Sequence, residues 1–341
     1  MSQFSSAIMN FNSISIPIYL LYDDGFELQH ENLIFEWIQY RKKEANRNKL
    51  LGSQSDIRDV SLEQRSCIPD ELKYLDWEIS THFDEYMGCE ITPLLCWIQY
   101  RQSESILEEL LYSANNKHYF SETEIIYWIQ YRQNEPIPEE LFYPGWNAAR
   151  VGCELRNLVY AWIEYRQNEP IPEKLKYPNW QTDVYDFGPT PLNIWIKHRI
   201  NEPIPDELKY PKWQTDKNIY RDTSLMLWIQ YRKDEPILEE LKYPGWQTYK
   251  NKSNETPLMC WISDRKNELI PEELKYPGWE TDKNKYDETP LMLWIRYRNH
   301  EPITEELKYP GWQTDKDNGD LTPLMLWIQC RKNEPIPEEL K

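Results

Sequence analysis

The sequence predicts an all-α protein, a helix-loop-helix repeat solenoid of about nine to ten units. Three observations carry this. Trp162, Trp195, Trp228, Trp261, Trp294 and Trp327 are each 33 residues apart, with Trp37, Trp97 and Trp128 ahead of them at less regular spacing. A fixed period of this size marks similar units that stack and bury one another. Each of these tryptophans is followed by Ile, and three residues after that Ile stands an Arg: Arg41, Arg101, Arg132, Arg166, Arg199, Arg232, Arg265, Arg298 and Arg331. Within a unit, Leu291, Trp294 and Ile295 recur at i, i+3 and i+4, with Arg298 at i+7, which is one face of a helix.

Taken in chain order, residues 1–41 are expected to form an N-terminal half-repeat cap and the first helix, because Ile16-Pro17 and Leu20-Leu21-Tyr22 are a degenerate copy of the Ile-Pro-Glu-Glu-Leu element. Residues 42–67 are a polar insertion, 22 longer than the usual four-residue connection from Arg to Ile, and locally basic at Lys42, Lys43, Arg47 and Lys49. A short helix is expected inside it over 60–64. Residues 68–341 are the repeat array, which stops within its last repeat at Lys341, before any Pro-Gly-Trp.

The unit itself reads clearly over 289–321. Thr289-Pro290 is a helix start, a capping hydroxyl followed by proline at the first helical position. Arg298 lies in the last turn, where its charge suits the free carbonyls. Glu301-Pro302 ends that helix, since a residue before proline avoids helical dihedrals. Ile303 and Leu307 then make the stripe of a second, shorter helix, which most copies open with proline (Pro69, Pro138, Pro172, Pro205, Pro271, Pro337) and follow with acids. Pro310-Gly311 closes it, Trp312 is expected to fold back as a packing plug, and 313–321 is a polar loop.

The formal net charge of −18 repels phosphate backbones and anionic lipid, so nucleic-acid binding and membrane insertion are not expected. No apolar run reaches membrane length, and the six cysteines lack paired spacing. A cytoplasmic protein is expected, with a nuclear one as the alternative. The five histidines form no metal spacing, no Gly-rich phosphate loop exists, and no nucleophile stands beside a base. The reading is therefore non-enzymatic, with no metal and no cofactor.

The 33-residue period, the helix openings Thr92-Pro93-Leu94, Thr190-Pro191-Leu192, Thr256-Pro257-Leu258, Thr289-Pro290-Leu291 and Thr322-Pro323-Leu324, and the loops Asp216-Lys217-Asn218 and Asp282-Lys283-Asn284 resemble the ankyrin repeat over about residues 16–341. The chain is a divergent, Trp-rich form: Trp-Ile stands where that family has two small alanines, Arg where it ends the helix on Gly, and the second helix lacks the family's Val-Val-x-Leu-Leu run. The resemblance implies L-shaped units and protein-binding work.

A residue repeated in every unit is architecture. Trp162, Trp195, Trp228, Trp261, Trp294 and Trp327 are read as core, the arginine ladder as pairing with the Glu of the following loop (Arg232 with Glu235) and capping the helix, and acid pairs such as Glu239-Glu240 as helix-dipole partners. Variable exposed positions carry the function. Those are Tyr185, Phe187, Tyr220, Arg221, Tyr249, Lys250, Lys285 and Tyr286 in the loops before the helices, with Glu164, Lys197, Gln230, Ser263 and Arg296 on them. The expected activity is a protein–protein interaction scaffold or adaptor that binds a protein partner through loop tips and the concave face. An aromatic-rich carbohydrate-binding repeat protein and a structural array with no specific partner are the alternatives.

Overall fold

The computed structural model describes residues 8–11, 14–17, 34–35, 37–39, 68, 82–84, 89–102, 104–110, 122–142, 153–184 and 188–341. The insertion 42–67 with its expected helix, and Tyr185 and Phe187, lie outside the described residues. The chain divides into two units, Met1–Arg166 and Gln167–Lys341. Each is a stack of helical repeats, so the fold class is the helical repeat solenoid that the period predicts.

In the first unit, helices α1 (Pro93–Tyr100), α2 (Glu122–Tyr131) and α3 (Cys153–Tyr165) pack in sequence order. Two short antiparallel strand pairs accompany them without changing the helical repeat class. Strand β1 (Ile8–Phe11) pairs with β2 (Ile14–Pro17), and β3 (His82–Asp84) with β4 (Cys89–Ile91). The first pair takes in Ile16-Pro17, where the half-repeat cap was expected to begin. Its physical basis is local: two short Ile- and Phe-containing runs are joined by only Asn12-Ser13, a hairpin pattern rather than a helical one.

The second unit holds α4 (Pro191–His198), α5 (Ser224–Tyr231), α6 (Pro257–Asp264), α7 (Pro290–Tyr297) and α8 (Pro323–Cys330), each packed on the next. The starts are as the sequence predicts. The Oγ1 of Thr190, Thr256, Thr289 and Thr322 accepts the amide N–H three residues on, and proline occupies the first turn. After the arginine that follows α4, α5, α6 and α7, the chain reverses through a residue with positive φ: Asn201, Asp234, Asn267 and His300. Asn and Asp tolerate this region better than other non-glycine residues.

The second helix is a correction. It is a single 3-10 turn, as at Glu239–Leu241, Glu272–Leu274 and Glu305–Leu307. The reason is lack of room: Pro271 and Pro277 bracket only five residues, and the residue before a proline leaves helical dihedrals. That one turn still inserts Leu241, Leu274 and Leu307 fully into the core. A further 3-10 turn at Trp246–Thr248, Trp279–Thr281 and Trp312–Thr314 drives its tryptophan into the same core, after Gly245, Gly278 or Gly311 at positive φ. The plug expected at Trp312 is thus present in all three repeats.

Candidate functional site

The arginine ladder is internal. Arg232, Arg265, Arg298 and Arg331 are buried, and each guanidinium lies over the tryptophan of its own helix, 4.2 to 4.5 Å from the ring centroid. Each pairs with the Glu three residues on, Arg232 with Glu235 at 3.2 Å and Arg298 with Glu301 at 3.0 Å, as the spacing suggested. The helix that each one caps is the preceding one. Arg265 donates from Nε to Ile229 O (2.9 Å), from Nη2 to Trp228 O (3.4 Å) and from Nη1 to Glu235 O (2.8 Å). The same three-carbonyl pattern holds at Arg232, Arg298 and Arg331 and, in the first unit, at Arg132. Burial lowers the arginine pKa and the partnering glutamate opposes it, as at Arg232. Charges so enclosed are unavailable to a ligand.

The glutamate pairs also hold repeats together. Lys242 bridges Glu239 of its own turn and Glu273 of the next, both at 2.6 Å, and Lys176, Lys209, Lys275 and Lys308 repeat this arrangement. The helix tryptophans Trp162, Trp195, Trp228, Trp261, Trp294 and Trp327 are all buried, with no free ring face to offer a sugar or a base. Among the described residues no cluster of His, Cys, Asp and Glu could hold a metal ion.

What remains exposed is the row of loop tips with the neighbouring helix face. Tyr220 is 60% exposed and Tyr286 52% exposed. Their backbones are held in place by an inter-repeat ladder: Lys252 N–H donates to Tyr220 O, Lys285 N–H to Ser253 O and Asn318 N–H to Tyr286 O, each at 2.8 Å. Arg221 is exposed at positive φ. Tyr249 is half-buried and plays a linking role: its hydroxyl donates to Arg221 O at 2.8 Å, and Lys217 stands over its ring. Lys250 is half-buried and paired with Asp282 at 3.1 Å, so it too ties loops together. Lys285 is exposed, with its ammonium 4.8 Å from the Tyr286 ring centroid. Of the candidates within the described residues, Tyr220, Arg221, Lys285 and Tyr286 therefore share one exposed row, while Tyr249 and Lys250 support it from below. On the helices, Lys197 and Gln230 are exposed, Ser263 and Arg296 half-buried.

Two features of this face had escaped the sequence reading. Asn218, Asn251, Asn284 and Asp317 are the hubs of the tips: each side-chain oxygen accepts the amide N–H two and four residues on, as Asn251 does from Ser253 and Glu255. Their spacing of 33, four residues before an acid in three cases, was the available signal. The second is a run of half-buried carboxylates. Burial, with the charges of Glu255 and Asp222 nearby, pushes Asp264 up to about 6, against the pull of Lys233 and Arg265. Burial also raises Glu255, assisted by Asp222 and Glu288 and opposed by the Asn251 hydrogen bond and Lys285. No protein-family model matches the chain, and no curated protein matches it.

Proposed function

We propose that this chain is a non-enzymatic, intracellular interaction scaffold that binds a protein partner through the loop tips and exposed helix face of its second unit. One observation carries the reading. The side chains at the equivalent positions Tyr220, Ser253 and Tyr286 differ between repeats, yet each projects from a backbone whose carbonyl accepts an N–H of the next repeat. Exposed tyrosines on a fixed backbone lose little entropy on binding and are frequent interface anchors. The ankyrin-like character of the unit belongs to the same proposal, supported by the period and the Thr-Pro-Leu helix openings. Among the described residues no helix is long and apolar enough to cross a membrane. The enclosed tryptophans withdraw the support on which the carbohydrate reading stood.

The test is a capture experiment from native lysate with Tyr220, Arg221 and Tyr286 all changed to Ser. Loss of the partner with the melting temperature nearly unchanged supports the proposal. Capture that survives the triple change rejects the loop-tip face.

A further inference from the structure

Across α5, α6 and α7, equivalent positions form columns. Tyr231, Asp264 and Tyr297 occupy the last residue of each helix, with Gln230, Ser263 and Arg296 just before them. Asp222, Glu255 and Glu288 each stand two residues before the start of their helix. At the α7 step the acid has a cation. Arg296 Nη2 lies 2.6 Å from Glu288 Oε1 and 3.6 Å from Asp317 Oδ2 of the following loop. At the α6 step the acid is Glu255 and the residue in the arginine's place is Ser263, whose hydroxyl turns back to Met259 O. At the α5 step it is Asp222 with Gln230.

The groups around this stretch are close enough to sense one another. Tyr231 feels the charges of Asp222 and Asp264, and Tyr297 those of Glu288, Glu255 and Asp264. Burial chiefly holds the carboxyls of Asp264 and Glu255 above their ordinary range, with Lys233 and Lys285 pulling the other way. Asp222 and Glu255 accept from the neutral side-chain amides of Asn218 and Asn251. Among the described residues neither they nor Asp264 form an ion pair, so this stretch keeps its negative charge without the bound cation that Glu288 has in Arg296. Tyrosine rings on this side of the unit already take cations, Lys197 over Tyr231 at 5.9 Å and Lys285 over Tyr286 at 4.8 Å.

We propose that the protein partner contributes an extended basic segment, laid across α5–α7, whose arginine or lysine side chains take at Asp222, Glu255 and Asp264 the place that Arg296 takes at Glu288. This rests on the scaffold reading above and specifies its partner. The internal arginine supplies the template for the chemistry, and charge complementarity supplies the occupant. Geometry also sets the spacing. Packed helices stand about 8–10 Å apart, and an extended chain advances about 3.3–3.6 Å per residue, so one repeat step matches about three residues. The segment carries a cation at every third position.

The probe is a fluorescein-labelled twelve-residue peptide of four Arg-Ser-Gly units, read by anisotropy against the full chain. A control peptide has the same composition with its four arginines consecutive. Expected are at least fivefold tighter binding of the spaced peptide, at least tenfold weakening of it by the double change Glu255→Gln and Asp264→Asn, and similar weakening by Ser263→Arg, which installs the internal cation one repeat earlier. The double change Glu272→Gln and Glu305→Gln removes two charges from the exposed lysine-ladder side and should leave binding within twofold. Circular dichroism checks that each variant folds. Equal binding of both peptides, or equal loss in the two double variants, overturns the proposal by showing only attraction of a cation to an acidic protein. If the loop-tip triple variant loses its native partner while the spaced peptide fails to bind, the scaffold stands and the basic partner is rejected.

Discussion

Arg298 closes a helix that is not its own: its Nε donates to the carbonyl of Ile262, one repeat back, at 3.0 Å. Its Nη1 reaches Glu268 O at 2.7 Å and its Nη2 Trp261 O at 3.3 Å. One planar group thus reaches the Ile262 carbonyl that the helix C-terminus leaves free, the Trp261 carbonyl that already accepts from Arg265 N–H, and the loop carbonyl of Glu268, all across the repeat junction. Arg298→Ala should cost about 3–5 kcal/mol, because buried acceptors lose their donor and Glu301 its partner. Arg298→Lys should recover less than half of that loss, since a single ammonium cannot span three carbonyls. Urea denaturation of both variants checks the order. Equal stability of Lys and Arg at this position would show that charge alone, not the planar fork, holds the junction.

Trp261 lies under the Arg265 guanidinium at 4.3 Å and donates from Nε1 to Leu269 O at 3.1 Å. Trp261→Ala should cost about 3–5 kcal/mol through lost burial and a cavity. In the parent protein the intrinsic fluorescence should be poorly quenched by iodide. A cost under about 1 kcal/mol, or ready quenching, would mean open rings and bring back the carbohydrate reading.

The period, the helix starts and the Trp-Ile-Leu core were legible because each is written in residues that recur at the same place. So was the pairing of Arg232 with Glu235, three residues apart. The interaction that joins repeats was not. Arg232 finds its carbonyl acceptor at Ile196, and backbone carbonyls carry no residue signature. The second helix was overestimated because Ile303 and Leu307 fit a helical stripe, while a single 3-10 turn buries the leucine equally well. At the candidate face, variability pointed to Tyr220 and Tyr286. Variability could not separate them from Tyr249, whose hydroxyl is committed to Arg221 O.

Asp264 makes stability depend on pH in a sense opposite to that of a salt-bridged acid. Its carboxyl titrates at about 6 in the fold, above its ordinary value, chiefly because it is buried. Between the two values the folded state holds the extra proton, so stability falls as pH rises through that window and is level above it. Asp264→Asn should therefore stabilise the protein at pH 7 by on the order of 1–2 kcal/mol, allowing for screening by residual solvent contact, and have little effect at pH 4. Thermal melts of both proteins at the two pH values read this. A gain that is the same at pH 4 and pH 7 would place its origin in packing or in the helix dipole.

The hubs of the loop tips make the last prediction. Asn251 accepts two backbone N–H groups through Oδ1 and donates from Nδ2 to Asp222 Oδ1 at 2.8 Å and Glu255 Oε2 at 3.2 Å. Asn218 and Asn284 likewise donate to the acid four residues on, Asp222 and Glu288. Asp317 is the exception, and there the residue four on is Leu321, with Arg296 at 3.6 Å. The chain thus places the acidic hub where no carboxylate stands four residues on. Asn251→Asp keeps the acceptor and so the turn. It also removes both donors and sets a third negative charge beside Asp222 and Glu255. Like charges at this distance raise one another's pKa, so the variant should lose about 2–3 kcal/mol at pH 7. It should regain part of that at pH 4.5, where protons relieve the repulsion. Adding Leu in place of Glu255 to the same protein should also restore stability at pH 7, reproducing the pairing found at Asp317 and Leu321. Urea titrations of the single and double variants decide the matter: if the loss is independent of pH and the second change adds to it, the asparagine acts through the turn alone.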